Sequence, residues 1–444
     1  MNRHILTIGP YLPVLDAVQD AVIKTDGLQL DGVIFVCVQH LFYTTLTLFE
    51  KLVQLGANPK NIFLLGKHYS FCEEVAERLR QLGIHIQVLT PLTELGQYEM
   101  IIKKDISALW DNVNKHLLSN QHKVKSMVIL DEGGRCLEYI AEGELLLSIP
   151  VIGVEQTTTG LFNHKKFSSR IPVIDVAASA AKVYLEPTVI IEDLWLKKLD
   201  ELLSIQEKPR CGIIGLGNIG RALALKLISL NYDVFVYDSS DVPTNNFPIK
   251  KMVWCSSLFE VVQKSNFIFG CTGRDIAVDV EIFGSPRENK TFMSCSSEDK
   301  EFLSLLKNAS QWFTTVSYVS PLGNIKLELE NGKNIEILSG GFPINFDSTG
   351  RSESAEKIQL TRALLLCSII QALMMLPQLA RNNIRGRIML DPLCQKFIAH
   401  EWFKVNGTVY KGFYDISWIG EHSQGGHFAC PYLAECFGLS EKVF

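Results

Sequence analysis

The chain of 444 residues has no strong excess of either charge: 43 Lys and Arg stand against 48 Asp and Glu, a net of −5. That balance removes the electrostatic case for a nucleic-acid partner, which needs clustered basic charge. Long apolar runs are also missing. The longest, Leu364 to Leu376, is broken by Gln371 and falls short of a bilayer's width, so no membrane partner is expected. Met1 to Pro10 has too short an apolar run for a secretory signal and reads as a first or edge strand. Eleven cysteines are scattered without fixed spacing, often inside apolar runs, and so read as reduced buried thiols rather than a disulfide framework. His400, His422, His427, Cys430 and Cys436 gather toward the C-terminal end, and His427-x-x-Cys430 is a spacing zinc can use. The second short pair is missing, so no metal is assigned. No internal repeat or low-complexity tract is present. These absences leave a cytoplasmic α/β protein of two or three domains.

Against that background one segment stands out. Cys211-Gly-Ile-Ile-Gly-Leu-Gly-Asn-Ile-Gly220 reads as a buried strand, then Gly-x-Gly-x-x-Gly, then the start of a helix at Arg221. Gly215 permits a tight turn, Gly217 lets backbone approach a pyrophosphate, and Gly220 lets helix and strand pack closely. The helix start at Asn218 and Ile219 would face the phosphates. A second strand, Asp233 to Asp238, ends in a carboxylate suited to ribose hydroxyls and hostile to a 2′-phosphate. NAD is therefore the expected cofactor, in preference to NADP.

Strand and helix signals alternate on both sides of this loop. Gly32–Val38, Asn61–Leu65, Ile84–Leu89 and Val124–Leu130 read as strands, with a helix over Phe42–Leu55. A helix from Thr188 to Leu203 opens at Pro187, and Phe267–Gly273 reads as a later strand of the nucleotide domain. Gly340-Gly-Phe-Pro343 suggests a hinge, and the apolar helix Ala355–Pro377 is expected to pack back on the first domain. The fold class is thus α/β, with two doubly wound parallel-sheet domains of Rossmann-like form and the NAD domain inserted in the substrate domain. The expected boundaries are 1–186 for the first part of the substrate domain, 187–341 for the NAD domain, 342–390 for the helical return, and 391–444 for a divergent tail.

Further segments carry a family resemblance. Gln39-His-Leu-Phe-Tyr-Thr-Thr45, Ile129-Leu-Asp-Glu-Gly-Gly134, Gly153-Val-Glu-Gln-Thr-Thr-Thr-Gly160, Ile171–Val176, Lys182, the glycine loop and Gly341-Phe-Pro343 together resemble the S-adenosylhomocysteine hydrolases over roughly residues 30 to 375. The resemblance implies a tightly held NAD, oxidation of a nucleoside hydroxyl followed by elimination and hydration, and a homo-oligomer, either dimer or tetramer. It gives Lys182 the role of hydroxyl activator and His40 a place at the catalytic cleft. Asp131 and Glu155 become neighbours of the substrate, Thr157, Thr158 and Thr159 contact ribose and nicotinamide, and Thr272 and Gly273 line the cofactor domain. Several positions depart from the family pattern. Glu132 or Asp131 takes the place of a catalytic aspartate, Gln156 of a ribose-binding glutamate, Glu186 of the aspartate beside the lysine, Thr44 of an adenine-reading glutamate, and Phe342 of a hinge histidine.

These departures lead away from the ordinary substrate. The expected activity is NAD-dependent oxidation of a nucleoside- or sugar-like secondary alcohol, with Lys182, Glu132, Glu186 and His40 as the acid–base set. Asp131, Glu155, Gln156, Thr44 and Phe342 would shape the substrate side. The alternatives are an NAD-binding pseudoenzyme or regulatory scaffold, and an adenosylhomocysteine hydrolase with an altered site.

Overall fold

A computed structural model describes residues 8–23, 28–143, 149–160, 171–240, 252–277, 288–382 and 384–407. The chain divides into two compact units. Unit 1 gathers Met1–Thr90, Lys103–Glu186 and Ser348–Phe444, and unit 2 gathers Pro91–Ile102 and Pro187–Asp347. Along the chain, unit 1 first supplies β1 (Val33–Leu41), β2 (Ile62–Phe71), β3 (His85–Ile86), β4 (Ser126–Asp131), β5 (Val151–Glu155) and β6 (Pro172–Asp175). Unit 2 supplies β7 (Arg210–Ile214), β8 (Asp233–Tyr237), β9 (Val253–Trp254), β10 (Phe267–Gly270), β11 (Lys290–Ser294), β12 (Thr315–Tyr318), β13 (Ile325–Glu328) and β14 (Asn334–Ile337). The chain then returns to unit 1 for β15 (Gly386–Met389). Both units are α/β sheets of doubly wound, Rossmann-like form, and the second is inserted in the first.

The unit 1 sheet has the order β15-β6-β5-β4-β1-β2-β3, and every pairing is parallel. β1 is buried along its whole length, as its Val-Ile-Phe-Val-Cys-Val run requires of a central strand covered on both faces. From β1 the chain winds one way through β2 and β3, then the other way from β4. The crevice at the carboxyl ends of β1 and β4 is therefore the topological switch point, where such sheets bind ligands.

The helix Ala355–Asn382 covers this sheet, lying against β4, β5 and the helices Pro13–Ile23, Tyr43–Gln54 and Pro392–Asn406. Over Ala355–Leu379 it is long and apolar enough to cross a membrane, yet 89% of its most apolar window is buried within the structure. Gln371, which interrupts the apolar run, is fully matched: Nε2 donates to Met389 O at 2.8 Å and Oε1 accepts from Asp391 N at 3.0 Å. A buried amide is tolerable only when bonded in this way.

The unit 2 sheet runs β12-β13-β14-β11-β10-β7-β8-β9. Six strands, from β14 to β9, are parallel, while β12–β13 and β13–β14 are antiparallel. On β13, Ile325 and Leu327 are buried and Lys326 and Glu328 exposed, the alternation of a strand with one wet face. This sheet also reverses its winding, between β7 and β10.

Two local readings change. Pro187 does not open a helix but sits inside Ala180–Leu194, which then relaxes into a π-turn at Trp195–Leu199. Proline at that position removes one rung of the ladder, and the flanking apolar residues carry the helix through it. The strand expected at Ile84–Leu89 is reduced to His85–Ile86 at the sheet edge. Residues 1–7 and 408–444, with the N-terminal strand and His422, His427, Cys430 and Cys436, lie outside the described residues.

Candidate functional site

In unit 2 the glycine turn joins β7 to the helix Asn218–Ser229. Gly215 has φ +93°, a conformation side chains rarely adopt. A Cβ on Gly220 would lie 2.0 Å from Gly215 O, so this close packing of helix on turn admits only glycine. Gly217 differs: nothing lies within 4 Å of where its Cβ would be. It caps the helix without a side-chain hydrogen bond, leaving the first N–H groups, those of Asn218, Ile219 and Gly220, for an anion. The open cradle at Gly217 and the uncapped helix start fit a pyrophosphate. Asp238, just past β8, accepts from Leu216 N at 2.6 Å and from Ser240 N at 2.9 Å. Burial raises its pKa, but these N–H donors outweigh it and hold the carboxyl below its ordinary range. The acid therefore braces the glycine turn and keeps its charge.

A second carboxylate, absent from the sequence reading, organises the other wall. Glu301 Oε1 accepts from Thr272 N and Gly273 N, both at 2.6 Å, and from Ser296 Oγ at 2.6 Å. Glu301 thus ties the turn after β10 to the turn after β11. Thr272 in turn packs on the glycine loop, its Cγ2 lying 2.8 Å from where a Gly215 Cβ would be.

In unit 1 the switch-point crevice holds a dry polar cluster. His40 Nδ1 lies 2.5 Å from Ser70 Oγ, and His40 Nε2 contacts Glu132 Oε1. Lys67 Nζ donates to the same Glu132 oxygen at 3.2 Å. His40 is 7% exposed, Glu132 3%, Lys67 1% and Ser70 0%, so these interactions are barely screened. Burial pushes the His40 pKa down, with the Glu132 charge pulling the other way. For Glu132, burial acts upward, but its contacts with His40 and Lys67 together prevail and hold the carboxyl far below its usual range. At neutral pH Glu132 is a carboxylate and His40 a neutral imidazole. A proton on Nε2, facing Glu132, would leave Nδ1 as an acceptor toward Ser70 Oγ. Phe42 stacks on the imidazole at 5.6 Å, and Tyr69 meets it edge-on at 5.7 Å. Glu132 Oε2, Gln156 Oε1 and both side-chain ends of Gln39 are buried without a partner among the described residues. Buried polar atoms normally have partners, so these three acceptor oxygens and the Gln39 Nε2 donor at the strand ends are suited to ligand hydroxyls.

The remaining candidates fall into distinct arrangements. Asp131 accepts from Glu132 N and Leu137 N, both at 2.9 Å. Glu155 accepts from Gly133 N at 3.2 Å, Gly134 N at 2.8 Å, Thr157 N at 2.7 Å and Thr157 Oγ1 at 2.6 Å. Burial pushes Asp131 up to about 6 and Glu155 well above the carboxylate range, the latter also through the Asp131 charge. Asp131 is spent on backbone, and Glu155 on backbone and the Thr157 hydroxyl. Thr158 is exposed and Thr159 half-buried. Lys182 Nζ donates to both Glu186 oxygens at 2.5 and 2.6 Å, and Thr361 Oγ1 donates to Glu186 Oε1 at 2.5 Å. Thr44 Oγ1 donates to Glu353 Oε1 at 2.6 Å and accepts from Arg362 Nε at 3.2 Å. Phe342 belongs to unit 2, where it is 3% exposed and meets Tyr98 edge-to-face at 5.2 Å. The structure thus pairs His40 with Glu132, Lys182 with Glu186, and Glu155 with Thr157.

The sequence model for the NAD binding domain of 6-phosphogluconate dehydrogenase matches residues 210–305. Unit 2 is an NAD-binding domain. Two uncharacterized proteins of Mycobacterium tuberculosis, from strains CDC 1551 and H37Rv, are each 29% identical over 359 residues, covering 80% of this chain and 66% of their own length. The chain therefore spans just under two thirds of those relatives. Similar solved structures include a 2-hydroxyacid dehydrogenase of Ketogulonicigenium vulgare, with 9% identity, TM-score 0.34, and coverage of 81% of this chain and 98% of that one. Another is a D-lactate dehydrogenase of Treponema pallidum, with 12% identity, TM-score 0.33, and coverage of 78% and 97%.

The family-model match overturns the resemblance to the adenosylhomocysteine hydrolases: the glycine-loop region matches the NAD binding domain of 6-phosphogluconate dehydrogenase instead. The physical reason lies in the segments that carried the likeness. Gly133, Gly134, Glu155 and Thr157 close on one another, and Asp238 closes on the glycine turn. Such residues report how loops are tied at the carboxyl edge of a doubly wound sheet, and a shared fold does not fix an activity.

Proposed function

We propose that the chain is an NAD-dependent dehydrogenase acting on a secondary alcohol that carries further hydroxyls, of sugar- or nucleoside-like character, with His40 as its acid–base group. The observation that carries this reading is the His40–Glu132 pair at the switch point of unit 1. NAD, when bound, supplies a hydride acceptor. The chain's own residues must then take the alcohol proton. In the structure Ser70 Oγ lies 2.5 Å from His40 Nδ1. A substrate hydroxyl in that place would hand its proton to Nδ1, and the Glu132 carboxylate would stabilise the imidazolium. Lys67 positions Glu132. Lys182, held by Glu186, is the second candidate donor to the alcohol oxygen. The free acceptors on Glu132, Gln156 and Gln39 would bind neighbouring hydroxyls. The reading also includes a homo-oligomer.

The test is anaerobic mixing of the purified chain and NAD with a panel of polyols, sugars, nucleosides and 2-hydroxy acids, following reduced nicotinamide. Reduction by a polyhydroxylated alcohol supports the proposal, and reduction by hydroxy acids alone would redirect the substrate class. Bound NAD with silence across the panel would replace it with the scaffold reading. That reading is favoured by a His40 whose two ring nitrogens are both engaged.

A further inference from the structure

β10 and β11 are parallel neighbours whose register sets Gly270 opposite Ser294. The next residues, Cys271 and Cys295, therefore stand opposite each other. Cys271 N donates to Ile214 O and Cys295 N to Gly270 O, both at 2.8 Å, so the ladder continues one residue past the strand ends. Residues in register on adjacent strands share a face and sit about 5 Å apart at Cα, within the span a disulfide bridges. Both side chains pack on one apolar cluster with Leu223 and Leu227. The neighbouring Cys295 thiol and burial push the Cys271 thiol well above its ordinary pKa. Both cysteines are only partly buried, whereas Cys211 is sealed.

Cys271 lies beneath the glycine turn. A Cβ on Gly215 would lie 2.9 Å from the Cys271 carbonyl, and one on Gly220 would lie 3.4 Å from Cys271 Cβ. Glu301 binds the residues that follow both cysteines, Thr272 and Gly273 on one side and Ser296 on the other. A shift of either cysteine is thereby passed to the turn and its brace.

We propose that Cys271 and Cys295 are a reversible redox site, closing to a disulfide that weakens NAD binding. The oxidant is a small disulfide of the oxidised-glutathione class. One protein thiol, as thiolate, attacks it to give a mixed disulfide and releases one small thiol. The second protein thiolate then attacks the protein sulfur of that mixed disulfide, forms the Cys271–Cys295 bond and releases the other small thiol. Two protons and two electrons pass from the protein to the small disulfide. Closure draws the two Cβ atoms to about 3.8 Å, pulling Cys271 from beneath Gly215 and Gly220.

The experiment treats the full chain with oxidised glutathione, maps peptides without reduction, and titrates NAD by calorimetry before and after. The expected result is a peptide pair linking Cys271 to Cys295. It should be accompanied by NAD affinity about tenfold weaker or more, restored by dithiothreitol, with bond formation slowed by saturating NAD. Cys295→Ser should bind NAD and lose its sensitivity to the oxidant. Reversal in the wild-type chain serves as the same test should that variant fold poorly. A map lacking this pair, or a bridged protein that binds NAD as the reduced one does, overturns the proposal.

Discussion

Lys67→Met keeps most of the side-chain stem and removes the ammonium from the dry cluster at the switch point. Lys67 Nζ lies 3.2 Å from Glu132 Oε1, and neither side chain is more than 4% exposed. At an effective dielectric of about 20 the pair attracts by ~5 kcal/mol. Relief from burying the ammonium offsets part of this, leaving a net loss of about 3–4 kcal/mol in unit 1, as expected when one partner of a buried pair is removed. A second consequence concerns His40, whose pKa the Lys67 charge lowers. Without that charge the His40 value rises, and the acid limb of any activity that needs neutral imidazole moves to higher pH. Native-state hydrogen exchange at the amides of β1 and β4 reads the stability change within unit 1. A double-mutant cycle with Glu132→Gln isolates the pair, and the double variant should be less destabilised than the sum of the singles. A loss under about 1 kcal/mol, or strict additivity, would refute the reasoning, because it would mean the pair is solvated.

Four more outcomes are expected. Gly217→Ala should leave the thermal midpoint of the NAD-free chain nearly unchanged, because its Cβ meets open space, yet weaken NAD binding. Gly220→Ala should lower both stability and NAD affinity, since its Cβ would strike Gly215 O, and calorimetry with NAD alongside thermal melts separates the two variants. Glu301→Ala strips the acceptor from Thr272 N and Gly273 N. At ~1–3 kcal/mol for each orphaned group, it should cost unit 2 about 2–5 kcal/mol by hydrogen exchange on β10, with Glu301→Gln recovering part. Asp131 is raised from 3.8 to about 6 in the folded chain, so the folded state holds a proton the unfolded state loses first. Its contribution is complete below about pH 4 and lost as pH rises toward 6. The stability advantage of the wild type over Asp131→Asn should shrink across that window in denaturation run at stepped pH.

The glycine turn and the winding of both sheets were legible because they depend on local rules. Gly215 needs a positive φ, Gly220 needs a close approach, and β1 opens with an unbroken apolar run from Val33 to Val38 whose burial follows from composition. The His40 cluster was only half legible. β2 reads as ending at Leu65, where the apolar run stops, but the strand continues to Phe71 with Lys67 and Ser70 buried. Buried polar residues on a strand look like loop residues until their partners are known, and Glu132 lies 65 residues from Lys67. Glu301 sits in a short turn without any motif, so only the three-dimensional meeting of two turns reveals it. The hydrolase likeness misled for a related reason. Glycine, threonine and acid residues around Glu155 satisfy one another in the fold, and their pattern was read as substrate chemistry.

The most direct test of the central claim is the rate of nicotinamide reduction in wild type and His40→Asn, measured across pH with whichever alcohol the panel identifies. The account predicts that the wild-type rate falls on the acid side as His40 takes up a proton. It also predicts that His40→Asn is slower by roughly a hundredfold or more while binding NAD as tightly as the wild type. A His40→Asn chain that reduces NAD at the wild-type rate would contradict it.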